Sequence, residues 1–493
     1  MPHPVQNEPT WLQVPGRIPP QYTRPLLCAE ICHDIADRLD DGLGRCCMGV
    51  IFKTTLSNEE LEHRCHESIG RARFFIPILA CSITPDPKDL FSSSFVYESL
   101  GDKDELQTWI NDSLTIRHEK VDSDAFIAEM TLTHIPFKHS NGREQPTHIY
   151  LIIGPDGVNG LFIYGPHTLM DARPALRCLD TLLGWIANPP SEKLDELPWG
   201  TEWQSLPAPP IAATGGIRDD WDTSGVEVMR EIGEILQNQV PSQSLHPGRT
   251  GISNPGKMIH INESFDPEIS SRITKTTKAL GFTPSALFDA AVVLATFATN
   301  PVKPEDTEKA HITLDPTVIA QDRYLVPPHN GISHFVAGLT LVPLHVPYSR
   351  IDFSGNTREA LISAMSIIKE QLDHFLANPN LPHVFPAQLA YFPPRLAKDI
   401  SNPHVSVTSN MGNVSLVLRS KTAEDSQGSG PPIIEVQDMV FGHRLTWQRI
   451  MLHCWSFNSK MILKLQAADV WDFEDMQKYI RFIKEIMMSV LEN

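Results

Sequence analysis

The sequence has little positive charge for its length. Its 493 residues include 41 lysines and arginines against 59 aspartates and glutamates, which gives a formal net charge of -18 at pH 7. Proteins that bind nucleic acid or anionic membranes use basic patches to neutralise phosphate groups. The charge balance therefore favours a protein that acts on small molecules, and we expect neither nucleic acid nor a membrane as a partner.

Long hydrophobic runs are also missing. The sequence contains no window of about 18 apolar residues, the length that a membrane-spanning helix needs. Residues 1–7 lack the basic and apolar regions of a secretory signal peptide. These two absences predict a cytoplasmic location.

Cysteine is scarce. Eight cysteines are too few and too irregularly spaced for a disulfide framework in a chain of this length. Cys28 and Cys32 could share one face of a helix with His33 beside them, but no paired C-x-x-C motifs complete a zinc site. We therefore predict no metal site, and cysteines that stay reduced and pack in the core.

Two common catalytic signatures are absent as well. No G-x-S-x-G sequence occurs, so the nucleophile elbow of a serine hydrolase is excluded. No G-x-G-x-x-G loop occurs either, which removes the usual support for dinucleotide binding.

Length and local composition predict two lobes. A chain of 493 residues exceeds one ordinary domain, and its 41% hydrophobic content can fill more than one core. Residues 188–216 are rich in proline, glycine, serine and threonine, and residues 220–240 then follow a helical apolar pattern. We predict an N-terminal lobe over residues 1–190, an interlobe linker with a helix over 191–256, and a C-terminal lobe over 257–493.

Each predicted lobe mixes helical and strand patterns, so the fold class is α/β. Among the shorter apolar runs, residues 74–79 and 414–418 are interpreted as strands. The glycine- and serine-rich residues 420–432 are interpreted as a surface loop near the site.

One histidine stands at a position suited to catalysis. Residues 147–153 and 161–164 are β-rich runs joined by a turn sequence, which predicts a hairpin. His167 follows the second strand, and Asp171 precedes a helical apolar pattern that ends at residues 188–190. An imidazole with an ordinary pKa of about 6.5 can accept a proton from a hydroxyl or an amine.

Asp171 has two compatible interpretations. It can cap the following helix by accepting the first N–H groups. It can also be a structural carboxylate that fixes the loop carrying His167.

The sequence from His167 to Asp171 resembles the H-x-x-x-D core of the CoA-dependent acyltransferase superfamily, which includes BAHD acyltransferases and the condensation domains of peptide synthetases. The resemblance covers roughly residues 20–490 and is strongest to the fungal trichothecene O-acetyltransferase-like branch. The D-F-G-W-G block of plant BAHD enzymes is absent, and residues 440–444 do not replace it. Further blocks that resemble the superfamily lie at residues 281–291, 315–316, 322–325, 406–412, 453–457 and 461–465.

The resemblance implies a two-lobed chloramphenicol-acetyltransferase-like fold, with a tunnel between the lobes and the histidine midway along it. His167 would be the general base, and Asp171 would support it. Ser409 and Asn410 would be candidates to bind the acceptor or to donate hydrogen bonds to the oxyanion. Acyl-CoA would be a co-substrate, with no tightly bound cofactor.

Three functional classes stay open at this stage. The first is transfer of an acetyl or other acyl group to a hydroxylated polyketide, terpenoid or peptide-derived metabolite. The second is a same-fold epimerase or cyclase in which His167 moves a proton without an acyl donor. The third is a non-catalytic binding protein. A monomer is expected, because one chain would supply both lobes.

Overall fold

The computed structural model describes residues 8–237, 242–248, 257–391, 407–423 and 432–492. Two six-stranded sheets carry most of the structure, and helices pack on both, so the predicted α/β class is confirmed. The helices of the described residues are α1 (Ala29–Leu39), α2 (Asn58–Phe75), α3 (Lys103–Ser113), α4 (Ser123–Leu132), α5 (Ala172–Ala187), α6 (Pro210–Ala213), α7 (Val226–Gln237), α8 (Pro267–Ala279), α9 (Pro284–Thr299), α10 (Thr357–Ala377), α11 (Leu381–Tyr391) and α12 (Phe473–Met488).

The strands fall into four sheets. A four-stranded sheet and a two-stranded sheet lie outside the two large ones. The strands are β1 (Leu12–Gln13), β2 (Gln21–Pro25), β3 (Cys46–Thr54), β4 (Ser82–Asp86), β5 (Asp89–Glu98), β6 (Leu114–His118), β7 (Phe137–Lys138), β8 (Glu144–Gln145), β9 (His148–Ile153), β10 (Val158–Gly165), β11 (Met258–Ser264), β12 (His311–Ala320), β13 (Leu339–Pro347), β14 (Val407–Asn413), β15 (Lys421–Ala423), β16 (Pro432–His443), β17 (Met451–Phe457) and β18 (Lys460–Ala468).

The first large sheet has the order β15-β16-β3-β10-β9-β6. Its central strands β9 and β10 form the predicted hairpin, with Leu161 opposite Leu151. Both strands are buried almost throughout, because α5 packs on one face of this sheet and α4 on the other. The sheet therefore holds the end of β10, and the histidine that follows it, in a rigid frame.

The second large sheet has the order β11-β18-β17-β14-β12-β13. Its strands β17 and β18 alternate between two apolar cores. Cys454 and Leu463 pack with α9 and α12, whereas Trp455 and Ile462 pack with the first lobe. One face of this sheet therefore forms the contact surface between the lobes.

Strand membership differs from the predicted lobe boundaries in one respect. β15 and β16 belong to the segment predicted as the C-terminal lobe, residues 257–493, yet they extend the first sheet: β16 pairs along β3, and β15 pairs along β16. His443, at the end of β16, lies opposite Cys46. The lobe over residues 257–493 thus gives two strands to the other lobe, and no contiguous division of the chain describes both sheets.

Two helices correspond to signals in the local sequence. Thr283 caps α9 by accepting a hydrogen bond from the Ala286 N–H at 3.1 Å, and Pro284 occupies the first helical position. The linker helix predicted over 220–240 corresponds to α7, which ends at Gln237 within the described residues.

Two predicted strands are wrong. Residues 74–79 form the end of α2 and a 3-10 turn at Pro77–Ala80, because the Ser57 cap starts a long helix and the proline ends it. Residues 414–418 are a 3-10 turn, Val414–Leu416, and its continuation. Of the surface loop predicted over 420–432, residues 421–423 form β15, and residues 424–431 lie outside the described part of the chain.

Across the described ranges, no single helix has the length and apolar composition to cross a membrane; the bent pair α8 and α9, at 97°, meets that test by length and composition only.

Candidate active site

His167 lies in the short turn between β10 and α5. The turn is closed by a hydrogen bond of 3.1 Å from the Leu169 N–H to the Pro166 carbonyl. Gly165 ends β10 against residue 147, and a Cβ at this position would lie only 2.9 Å from the Thr147 side chain. The strand can therefore pass close to its neighbour and deliver the histidine at the sheet edge.

The Asp171 carboxylate contacts this turn with one oxygen and the second lobe with the other. Its Oδ1 lies 3.1 Å from His167 Nδ1, and its Oδ2 accepts a hydrogen bond of 2.6 Å from the Gly338 N–H. Asp171 occupies the N-cap position of α5, but its side chain accepts no helical N–H, so the capping interpretation is wrong. Because Gly338 leads into β13, the carboxylate links the histidine turn to the second lobe.

The charge state of His167 reflects two opposing effects. Burial acts to lower its pKa, and the Asp171 carboxylate outweighs burial, so the pKa lies above its ordinary value. His167 Nδ1 and Asp171 Oδ1 are close enough to form an ion pair, but their angle falls outside the range of a hydrogen bond. With Nδ1 turned to the carboxylate, Nε2 is the nitrogen available to a substrate.

A second histidine, which the sequence analysis did not assign to the site, covers the His167 ring. His33 of α1 stacks on it with ring centroids 4.0 Å apart and planes 6° from parallel. Burial and the neighbouring charge of His167 hold the pKa of His33 well below its usual range. His33 is therefore neutral when His167 carries a proton.

The stack continues through two more histidines into the second lobe. His443 lies with its ring centroid 5.7 Å from that of His167, and His453 of β17 lies 5.5 Å beyond His443. Burial lowers the pKa of both, that of His453 to about 3. Single histidines in apolar strands carry no sequence signal for a site, which explains why these two were missed.

Ser409 and Asn410 are consecutive in β14 beside a register shift, and both line one small cavity. Ser409 lies opposite His453, on the face that meets the first lobe. Asn410 begins a bulge within the strand, in which its Oδ1 accepts a hydrogen bond of 2.7 Å from the Gly412 N–H. The Asn410 Nδ2 is buried and has no hydrogen-bond partner among the described residues.

Two cavities meet at these residues. A small one of about 70 Å³ is lined by Asp171, Ser409 and Asn410, so it joins three of the four predicted site residues. A larger one of about 460 Å³ lies along α9 and α10 and shares Asn410 with it. His167 lines neither cavity. Asp171, which contacts His167, lines the smaller one.

One group of side chains has the composition of a metal site. The ligand atoms of His33, His167 and Asp171 lie within 4.8 Å of one another. However, two parallel rings 4.0 Å apart direct their nitrogen lone pairs side by side and not toward a common point. The geometry favours stacking over coordination of a single ion.

All eight cysteines are unpaired. Cys28 is buried, and Cys32, close to it on α1, has its pKa raised to about 12 by burial. A thiol with so high a pKa is not a nucleophile at neutral pH, which agrees with a packing role.

Comparison with solved structures defines the fold of the protein. It has the two-lobed α/β fold of chloramphenicol acetyltransferases and condensation domains, with a strand pair from the second half of the chain completing the first sheet. The sequence matches no protein-family model and no curated protein.

Three solved structures show the likeness. The trichothecene 15-O-acetyltransferase of Fusarium sporotrichioides matches with a TM-score of 0.80 and 16% identity over 99% of each chain. The condensation domain of the monacolin K polyketide synthase MokA matches with a TM-score of 0.61 and 10% identity over 95% of this chain and 98% of that one. The epimerization domain from the third module of tyrocidine synthetase B matches with a TM-score of 0.60 and 10% identity over 95% of this chain and 96% of that one. The expected superfamily resemblance is thus confirmed at the level of the fold.

Proposed function

We propose that the protein is an acyl-CoA-dependent acyltransferase that modifies a hydroxyl or amine of a small polyketide, terpenoid or peptide-derived metabolite. The observation that carries the proposal is the pairing of His167 with Asp171, 3.1 Å apart, on a fold shared with an O-acetyltransferase. A histidine whose pKa is raised, and whose second nitrogen is available, suits a general base.

His167 begins the reaction. Its Nε2 removes the proton from the acceptor as the acceptor oxygen or nitrogen attacks the thioester carbonyl. The Asp171 carboxylate stabilises the imidazolium that forms, and the neutral His33 ring covers its face. The proton then passes to the departing CoA sulfur, so His167 returns to its neutral form.

The tetrahedral intermediate needs a hydrogen-bond donor for its oxyanion. Asn410 is suited to this role, because its Oδ1 is fixed by the Gly412 N–H and its buried Nδ2 has no partner within the described chain. The hydroxyl of Ser409, which lines the same small cavity, is the second candidate.

We assign acyl-CoA to the cavity of about 460 Å³. Arg173, Arg323 and Lys369 line it together with Asp289, Asp322 and Asp373. Arg173 is paired with Asp322 and Lys369 with Asp373, so Arg323 is the cationic group that this lining offers to a polyanionic co-substrate. The smaller cavity shares Arg173 and Asn410 with it and leads on to Asp171. A thioester entering this way would arrive beside Asn410 and Asp171, and the path must continue past Asp171 for its carbonyl to meet the Nε2 edge of His167.

The test is turnover of acetyl-CoA by purified protein with a panel of hydroxylated polyketide, terpenoid and peptide metabolites, followed by mass spectrometry. We expect one acceptor to gain the mass of one acyl group, and the gain to disappear in His167→Ala. If acyl-CoA fails to bind while a metabolite is converted to an isobaric product that depends on His167, the protein is an epimerase or cyclase.

A further inference from the structure

A third cavity lies between the lobes on the far side of the histidine stack. It measures about 220 Å³ and is bounded by β16 on one side and by β11, β17 and β18 on the other. The ring of Phe441 separates it from the stack, because this ring contacts both His443 and His453 edge-on. None of the acyl-transfer steps proposed above uses this cavity.

A buried ammonium group lines this cavity. Lys464 stands in the middle of β18 with only 2% of its surface exposed. Among the described residues its Nζ makes no hydrogen bond and no ion pair within 4 Å; it lies 5.5 Å from the centre of the Phe441 ring, and Asp124 and Asp438 act on it electrostatically. A charge buried in this way lowers the stability of the protein unless an opposite charge lies beside it.

A second donor in the same wall is also unmatched. The Trp455 Nε1 is buried and has no hydrogen-bond partner among the described residues. Trp455 of β17 lies opposite Ile462 of β18, two residues along the strand from Lys464, so both side chains lie on one face of the sheet. Buried N–H groups are almost always hydrogen-bonded, which makes two unmatched donors at one cavity informative.

The other residues that line the cavity limit the kind of ligand that it can bind. Glu263 is already neutralised by Arg481 and Lys484, at 3.1 and 3.0 Å, so it does not compete for Lys464. Asp438 also lines the cavity, and Lys460 and Lys464 together outnumber its single carboxylate there. The other walls include the apolar side chains of Phe457 and Ile462.

We propose that this cavity binds a small monocarboxylate with an apolar or aromatic body. One carboxylate oxygen would accept from the Lys464 ammonium and the other from the Trp455 N–H, while the body packs against Phe457 and Ile462. A carboxylate with two oxygens matches one ammonium and one indole N–H in both charge and number of acceptors. A dianionic phosphate would bring a second negative charge beside the Asp438 carboxylate, which disfavours it relative to a monocarboxylate.

The pKa of the Lys464 ammonium is also consistent with an anionic ligand. Burial lowers the pKa of this side chain to about 8 against the opposing effect of Asp124 and Asp438. The amine is therefore mostly charged at neutral pH and gains from an anion in the cavity.

The test is equilibrium binding of benzoate, with benzamide as the uncharged isostere, to the full-length protein by titration calorimetry. Benzoate should bind and benzamide should not. The affinity for benzoate should fall at least tenfold in Lys464→Met and several-fold in Trp455→Phe, which keeps an aromatic, though smaller, side chain and removes the donor. Lys460→Met is the matched control, because Lys460 lines the same cavity but is exposed.

Two outcomes overturn the proposal. The first is no binding of benzoate to the wild type at concentrations on the order of 10 mM. The second is equal affinity of the wild type and Lys464→Met. Retention of benzoate binding by His167→Ala separates this site from the proposed acyl transfer, so either can fail alone.

A stability measurement keeps the test meaningful if a variant behaves poorly. In a ligand site the buried ammonium is a cost to the free protein, so Lys464→Met should melt at a higher temperature than the wild type. If Lys464 were only a structural cation, the same change would lower the melting temperature, and that result would also count against the proposal.

The carboxylate belongs either to the acceptor or to a separate metabolite. Once an acceptor is known, competitive inhibition by benzoate against it would identify the acceptor as the source. Binding without such competition would identify a separate ligand. Both results retain the site itself.

Discussion

The imidazole rings of His33 and His167 lie parallel, 6° apart in plane and 4.0 Å apart in centroid. They come from α1 and from the turn after β10, so the contact joins two segments that are far apart in the chain. The stack fixes the plane of the His167 ring, while the Asp171 carboxylate fixes its Nδ1 edge. Together they leave one direction for Nε2, and we infer that His33 is a positioning residue.

Replacing His33 by alanine should lower kcat about 10- to 100-fold with little change in KM, because the base loses its alignment. The acidic limb of the kcat/KM profile should move to higher pH, since water entering beside His167 relieves the burial that lowers its pKa. His33→Phe, which keeps a flat ring, should recover most of the rate. Equal losses in both variants would contradict a stacking role.

Replacing Asp171 by asparagine should have the opposite effect on pH. Without the carboxylate, burial dominates and the pKa of His167 falls, so the acidic limb should move to lower pH. The maximum rate should drop by about 10²- to 10⁴-fold, because the imidazolium loses its counter-charge. A steady-state pH profile measures both effects, and an unchanged acidic limb would show that Asp171 does not set this pKa.

Asn410→Ala should reduce kcat by about 10²- to 10³-fold and leave the KM for acyl-CoA nearly unchanged, as expected for a donor used in the transition state. Asn410→Asp should behave similarly, because it keeps the acceptor for the Gly412 N–H and removes the Nδ2 donor. Steady-state kinetics of Ser409→Ala completes the comparison. A larger loss for Ser409→Ala than for Asn410→Ala would assign the oxyanion to the serine.

An interlobe ion pair should contribute to stability. Asp322, only 8% exposed, binds Arg173 and Arg177 at 3.2 and 2.9 Å. Asp322→Asn should lower the free energy of unfolding by about 1–3 kcal/mol in urea denaturation. The exposed pair of Asp195 with Lys103 offers the control, and Asp195→Asn should change stability by less than about 1 kcal/mol. Similar losses in the free energy of unfolding for Asp322→Asn and Asp195→Asn would contradict this prediction.

The local part of this site was accessible from the sequence. The hairpin before His167 and the helix after Asp171 follow from β-rich runs, turn residues and helical spacing, all of which act over short distances. The apolar run at residues 74–79 was misread, because a short run of this kind is equally compatible with a strand and with a buried helix end.

The rest of the site depends on contacts that no local pattern encodes. His33 reaches His167 only because α1 packs beside β5 and the loop after it approaches the histidine turn. His443 arrives because β16 leaves its own half of the chain to pair with β3. Lys464 interrupts an otherwise apolar run from Met461 to Leu465, and only the assembled lobes reveal that it is buried.

The central claim is that His167 is the base for acyl transfer. It is tested most directly by a single-turnover measurement of CoA thiol release, with acceptor present, in the wild type, His167→Ala and the control His118→Ala, whose imidazole is 59% exposed. The account predicts that His118→Ala releases thiol like the wild type and that His167→Ala loses at least about 10²-fold while still binding acyl-CoA. Thiol release by His167→Ala at a rate within about threefold of the wild type would contradict the account.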